Sequence, residues 1–150
     1  MTLGTLSSPL LRFPSCVERE SPTAECRIVN SELRMAKVDI TERTFAFSLR
    51  IVKLSQILDS APGTNRTLAN QLLRSGTSIG ANVEEAQAAQ SKPDFISKIS
   101  IACKESRETL YWLRLLIASS LMPSEKLEPL KKEADELVAI LTTIIKNSRA

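Results

Sequence analysis

The sequence predicts an all-α protein built as an antiparallel up-and-down four-helix bundle. Three observations lead there. From Ile40 onward apolar residues recur at steps of three and four in four successive segments, which is the period of one helix face. Short breaks containing proline, glycine and serine separate the segments, so consecutive helices become antiparallel neighbours. No segment alternates apolar and polar residues for long enough to argue for a sheet.

The first helix is expected from Ile40. Phe45, Leu49, Val52 and Gln56 form one stripe, and Phe47, Ile51, Leu54 and Leu58 form another, so its apolar surface suits more than one neighbour. Ser60-Ala61-Pro62-Gly63-Thr64 ends it, because proline lacks an amide donor and glycine tolerates turn dihedrals. The second helix begins at Thr64 or Asn65, carries Leu68, Leu72, Ile79 and Val83 inward, and ends at Ala89 or Gln90. Ser91-Lys92-Pro93-Asp94 reads as a capping box, with the serine accepting an early amide and the aspartate reaching back, and with proline tolerated in the first turn. In the third helix Ile96, Ile99, Cys103, Ser106, Leu110, Leu113 and Ile117 give a bundle seam running to about Ser120, with Phe95, Ala102, Trp112, Leu115 and Leu116 around it. Met122-Pro123-Ser124 interrupts the pattern. Leu127, Leu130, Ala134, Leu137, Leu141 and Ile144 resume it in a fourth helix, whose first turn Pro129 makes irregular or delays.

Residues 1–34 contain three of the seven prolines and show no sustained period. They are expected to form a poorly ordered leader, or an extension weakly docked through Leu10, Leu11 and Phe13, with residues 35–150 as the bundle domain. At 150 residues and 43% apolar content the chain suits one domain with its own core. The apolar surface exceeds what one internal seam needs, which points to a homo-oligomer.

Composition excludes several kinds of chemistry. Histidine is absent, which removes the commonest metal ligand and the usual base at neutral pH. The three cysteines, Cys16, Cys26 and Cys103, have neither zinc-type spacing nor a disulfide framework, and Cys103 reads as a small core residue. The serines lack a histidine partner and a nucleophile elbow. No apolar run is long enough to span a bilayer or to resemble a signal peptide, so a cytoplasmic protein without a membrane partner is the expectation. The 20 Lys and Arg against 17 Asp and Glu leave a net charge of +3, a mild bias toward anionic partners.

One stretch, RSGTSIGANVEEAQAAQS from Arg74 to Ser91, departs from ordinary helix composition. It is not a phosphate loop, since no lysine follows its glycines and helical pattern lies on both sides. Gly76 and Gly80 instead stand one above the other on a helix, where a second backbone can come close. Ser75, Thr77 and Ser78 can bond to carbonyls of the preceding turn. Asn82 is expected inside, bonding to a group on a neighbouring helix as a structural specifier. Glu84 and Glu85 are adjacent and cannot share a face. Glu105 and Glu108 could meet one of them across the bundle, and pairing with Arg74, Lys104 or Arg107 is favoured over a carboxylate-only magnesium site. Tyr111 and Trp112 could stack on bases, with a core edge or oligomer contact as the more ordinary role. No catalytic residue, cofactor or resident metal is expected.

The run LRSGTSIGANVEEAQAAQSKPDFISKISIACKESRETLYWLRLL resembles the bacterial four-helix-bundle proteins encoded within intervening sequences of large-subunit ribosomal RNA genes, also called S23-type ribosomal proteins. The accessory variability protein of diversity-generating retroelements is similar to these. The matching residues are Arg74, Ser78, Ile79, Asn82, Val83 and Glu85 on the second helix and Phe95, Ala102, Glu105, Glu108 and Trp112 on the third, and the resemblance runs from Ile40 to about Asn147. It implies a small helical bundle assembling into a ring-like homopentamer. In the retroelement branch it further implies a positively charged assembly that binds nucleic acid and a reverse transcriptase. Arg74, Gly76, Ser78, Ile79, Gly80, Asn82, Glu85, Phe95, Glu105, Glu108 and Trp112 are therefore candidates for interhelical or oligomer packing. Lys53, Arg66, Lys92, Lys98, Lys104, Arg107 and Arg114 are candidates for contacts to RNA or DNA. A nucleic-acid-handling protein is the alternative partner.

Overall fold

Four helices follow one another along the chain: α1 (Ala24–Asp59), α2 (Thr64–Gln87), α3 (Lys92–Ala118) and α4 (Ser124–Arg149). The computed structural model describes residues 24–60 and 63–150, with side chains from Ile40 onward. α2 packs on α1, α3 on α2 and α4 on α3, while α1 and α4 meet over only a short stretch. The fold is an all-α four-helix bundle. Arg43 and Arg50 bridge the α1/α4 seam by pairing with Glu133 and Glu136.

α1 is helical from Ala24, upstream of the expected start at Ile40. The added segment holds good helix formers such as Glu25, Arg27, Leu33, Met35 and Ala36, so propensity supplies a helix where no apolar stripe announces one. The remainder of the expected leader, residues 1–23 with Leu10, Leu11 and Phe13, lies outside the described residues. So do Ala61 and Pro62 of the expected break. Gly63 is the N-cap of α2 at φ 89°, a left-handed conformation that suits glycine.

Ser91 caps α3 as expected, its side chain accepting from Asp94 N at 3.3 Å. The reciprocal bond is displaced by one residue: Asp94 Oδ2 accepts from Gln90 N at 3.2 Å. Pro129 neither delays nor ends α4, which starts at Ser124 and runs through it. Its missing N–H strips one turn carbonyl of a partner, and the exposed position leaves that carbonyl to water.

The core is built from one stripe of each helix, with Phe47, Ile51, Leu72, Ile79, Val83, Ile99, Leu113, Leu116, Leu127, Leu137 and Leu141 fully buried. Of the two expected α1 stripes, Phe47-Ile51-Leu54-Leu58 is the buried one, whereas Phe45 and Leu49 of the other are 57% and 47% exposed. On α3 the buried arc is Ile99, Ala102, Cys103, Ser106, Thr109, Leu113 and Leu116. Ile96, Leu110 and Ile117 of the expected seam are only half-buried. Within the arc Thr109 reaches α2, donating to Ser75 Oγ at 3.0 Å.

The glycines do what the helical spacing predicts. Both are buried on the α2 face against α1. A Cβ on Gly76 would lie 2.6 Å from Ile51 Cγ2 and 2.9 Å from Cγ1, whereas one on Gly80 would lie 3.0 Å from the Ser48 hydroxyl and 3.4 Å from Thr44 O. The close approach brings Ser48 Oγ within 3.2 Å of Gly76 O and 2.9 Å of Thr44 O, so one hydroxyl bridges the two helices. Ile51 is branched at the crowded carbons and fully buried, so it cannot turn aside. Overpacking of this kind costs about 1–3 kcal/mol, against roughly 1 kcal/mol gained by replacing a helical glycine with alanine. Gly76→Ala is therefore expected to lower stability by up to about 2 kcal/mol in urea unfolding, and Gly80→Ala to be neutral or mildly stabilising. The opposite order would refute the steric assignment.

Candidate functional site

The residues that stand out in the sequence converge on the α2/α3 surface. Arg74 Nη2 donates to Glu108 Oε1, and the same oxygen accepts from Trp112 Nε1 at 3.2 Å. Glu105 Oε2 lies 3.9 Å from Arg74 Nη1, buried and without a hydrogen bond. A turn or more further along, Lys98 Nζ pairs with Glu85 Oε2. The hydrogen bond from Lys98 to Glu85, and then the negative charge of Glu85, raise the pKa of the ammonium, with a smaller upward push from Asp94. Arginine and lysine thus face the three carboxylates expected to cluster here. They tie α2 to α3.

Glu84 is exposed and lies on the opposite side of α2, in a cleft with Phe45 and Leu49 of α1. Adjacent glutamates diverge, as their spacing requires. Among the described residues no group of three or more His, Cys, Asp or Glu could hold a metal ion.

Asn82 corrects an expectation. Its Nδ2 donates to Ser78 O at 2.8 Å, one turn back in its own helix, and its side chain is half-buried. Ser78 likewise bonds to Arg74 O at 2.8 Å. The buried polar link between α2 and α3 is Thr109 with Ser75, both fully buried, with Ser75 Oγ 3.0 Å from Gln71 O. A signal for this pair was present, since Thr109 lies between Ser106 and Leu113 at the spacing of the inner face. Small hydroxyl residues can close their own hydrogen bonds inside a helix, and so they fit a core where an amide with four bonding positions does not.

Phe95 packs half-buried against the core. It lines an open cleft of about 540 Å³ at the end of the bundle, with Gln87, Lys92 and Asn147. The cleft beside α1 and α2, about 330 Å³, is lined by Phe45, Leu49 and Val52 with Thr77, Gly80 and Ala81. No helix among the described residues is long and apolar enough to cross a membrane.

The seven candidate cations divide into two sets. Lys98 is held by Glu85, and Arg66 lies 3.4 Å from Asp59. Lys53, Lys92, Lys104, Arg107 and Arg114 are exposed without an acidic partner among the described residues. Arg74, a packing candidate outside these seven, is likewise engaged, by Glu108 and Glu105.

Fold and surface together define a four-helix bundle in which charged residues brace the α2/α3 pair. The model of the 23S rRNA-intervening sequence protein family matches residues 36–143, and the chain belongs to that family. It is also similar to a crystal structure from Bacteroides thetaiotaomicron described as a protein with unknown function from the S23 ribosomal protein family. The two are 41% identical with a TM-score of 0.66, over 71% of this chain and 98% of that one. No curated protein matches.

Thr109→Val is expected to lower stability by about 1 kcal/mol, the usual net worth of a buried hydrogen bond. Asn82→Ala should stay within about 0.5 kcal/mol, as for a surface change. Chemical unfolding of the two variants checks the ranking, and a larger loss at Asn82 would return that residue to an interhelical or oligomer contact.

Proposed function

We propose that the protein is a non-enzymatic, self-assembling binding module of the cytoplasm that acts on nucleic acid. The observation that carries this reading is the group Lys104, Arg107 and Arg114, exposed on α3 and free of acidic partners among the described residues. The acids of the α2/α3 seam are matched to cations, Glu85 to Lys98 and Glu105 and Glu108 to Arg74; around Lys104, Arg107 and Arg114 the field is open to a phosphate backbone. The net charge of +3 per chain adds up when copies assemble, so a modestly basic protomer becomes a strongly basic particle.

Self-association is supported by the α1 stripe left outside the core. Phe45 and Leu49 stand 57% and 47% exposed beside the apolar α1/α2 cleft, a grouping of apolar side chains that a second copy could cover. The ring-like homopentamer implied by the resemblance is the form we assign. A purely structural homo-oligomer without nucleic-acid binding is the second reading, favoured by the same stripe. A partner protein that handles nucleic acid is compatible with either.

Labelled structured RNA and duplex DNA titrated with the full chain should bind, and log affinity should fall linearly with log salt. Absence of binding at low salt would reject the nucleic-acid function and leave the structural oligomer. Light scattering should give a mass several times that of the protomer, and Phe45→Ser with Leu49→Ser should reduce it without lowering helicity. A wild-type monomer across micromolar concentrations would defeat the assembly.

A further inference from the structure

We propose that the outer face of α3 is a stacking site for single-stranded nucleic acid, with the Tyr111 ring as platform for one base and Lys104, Arg107 and Arg114 as phosphate contacts around it. This rests on the nucleic-acid function proposed above and narrows it to one kind of strand.

Lys104, Arg107, Tyr111 and Arg114 succeed one another at steps of three, four and three, so they share one stripe. At 1.5 Å per residue the stripe is about 15 Å long, room for a few nucleotides. All four side chains are exposed, Tyr111 at 54%. The ring is braced by its neighbour. Trp112 meets it edge to face, with centroids 5.0 Å apart and planes at 72°. Trp112 is held in turn by its bond to Glu108, and Glu108 by Arg74. An aromatic ring oriented in advance by such a chain gives up little freedom when a base settles on it, and any base offers a π-face to stack.

Charge and shape both select a single strand. Glu105 and Glu108, the nearest carboxylates on α3, are turned toward α2 and engaged by Arg74, so they do not neutralise the stripe. α3 is also packed between α2 and α4. A major groove about 12 Å wide admits one helix, and neighbours packed at roughly 8–10 Å on each side would strike its walls. Tyr111 therefore cannot reach a paired base, whose faces are in any case occupied by stacking. An unpaired strand lying across the surface brings both free bases and phosphates.

The test uses the full chain and fluorescein-labelled oligouridylate and oligodeoxythymidylate of about 12 nucleotides, within the usual site sizes, with a duplex of equal length as the third probe. Anisotropy is read over a salt series, and circular dichroism checks the fold of each variant. Single strands should bind more tightly than the duplex. Tyr111→Ala should weaken their binding about 5- to 150-fold, the loss of one base stack, and leave the salt slope unchanged, while Tyr111→Phe should keep most of the affinity. Lys104→Glu with Arg107→Glu and Arg114→Glu should flatten the slope by about 2, since each lost single-strand phosphate contact removes about 0.7. Duplex binding as tight as single-strand binding, or full affinity in Tyr111→Ala, would overturn the stacking site and leave a phosphate-binding surface in place. No binding of any probe at the lowest salt would overturn the nucleic-acid function itself and the stacking site with it.

Discussion

The separation between α1 and α2 is governed by two absent side chains. Gly76 and Gly80 leave the α2 surface bare where α1 crosses it, with Ile51 lying where a Cβ on Gly76 would be. The two backbones come close enough for Ser48 to reach the Gly76 carbonyl. That contact helps fix which stripe of α1 enters the core: Phe47 and Ile51 go in, and Phe45 and Leu49 remain outside. The apolar cleft follows from the same approach, because Gly80 and Ala81 form its floor without filling it. The helical instability of Gly76 is thus offset by packing that a larger residue would prevent.

Across the α2/α3 seam a different principle operates. The inner layer is apolar apart from small hydroxyls: Thr109 bonds to Ser75 and to Glu105 O, Ser75 to Gln71 O, and Ser106 to Ala102 O. The outer layer is ionic, with Arg74 shared by Glu105 and Glu108 and Lys98 paired with Glu85. Exposed pairs of this kind contribute little to stability singly, and their greater effect is to hold Trp112 and to occupy carboxylates that would otherwise compete for the cations beyond them. The family signature and the exposed basic stripe are in this sense one arrangement, an inner scaffold and the surface it presents.

Much of the fold was readable because it depends on features local in sequence. Three of the four helices lie close to where periodicity and caps place them, and the Ser91 cap is made as its spacing implies. The upstream part of α1 was missed because propensity without an apolar stripe leaves no periodic trace. Pro129 was overweighted because its cost depends on whether water can reach the freed carbonyl, which only exposure decides. At the candidate site, charge and spacing offer Arg74, Lys104 or Arg107 as partners for Glu105 and Glu108, and the fold selects Arg74. The placing of Asn82 did not, since whether an amide turns across the seam or back along its own helix depends on the width of the gap it faces. The split of the cations into engaged and open sets was equally hidden, because it is a property of neighbours brought together by the fold.

The order of packing has a kinetic meaning. Each of the three extensive interfaces joins helices adjacent in the chain, so each can form by closing a short turn, at a small loss of loop entropy. A topology dominated by such near contacts belongs to the fast-folding class. The one junction that needs the chain ends to find each other, α1 with α4, is carried by Arg43 and Arg50 against Glu133 and Glu136. Charges attract beyond contact distance, over roughly a Debye length of about 10 Å at 0.1 M salt. The most distant pairing in the sequence is therefore also the one that can be guided before its surfaces touch.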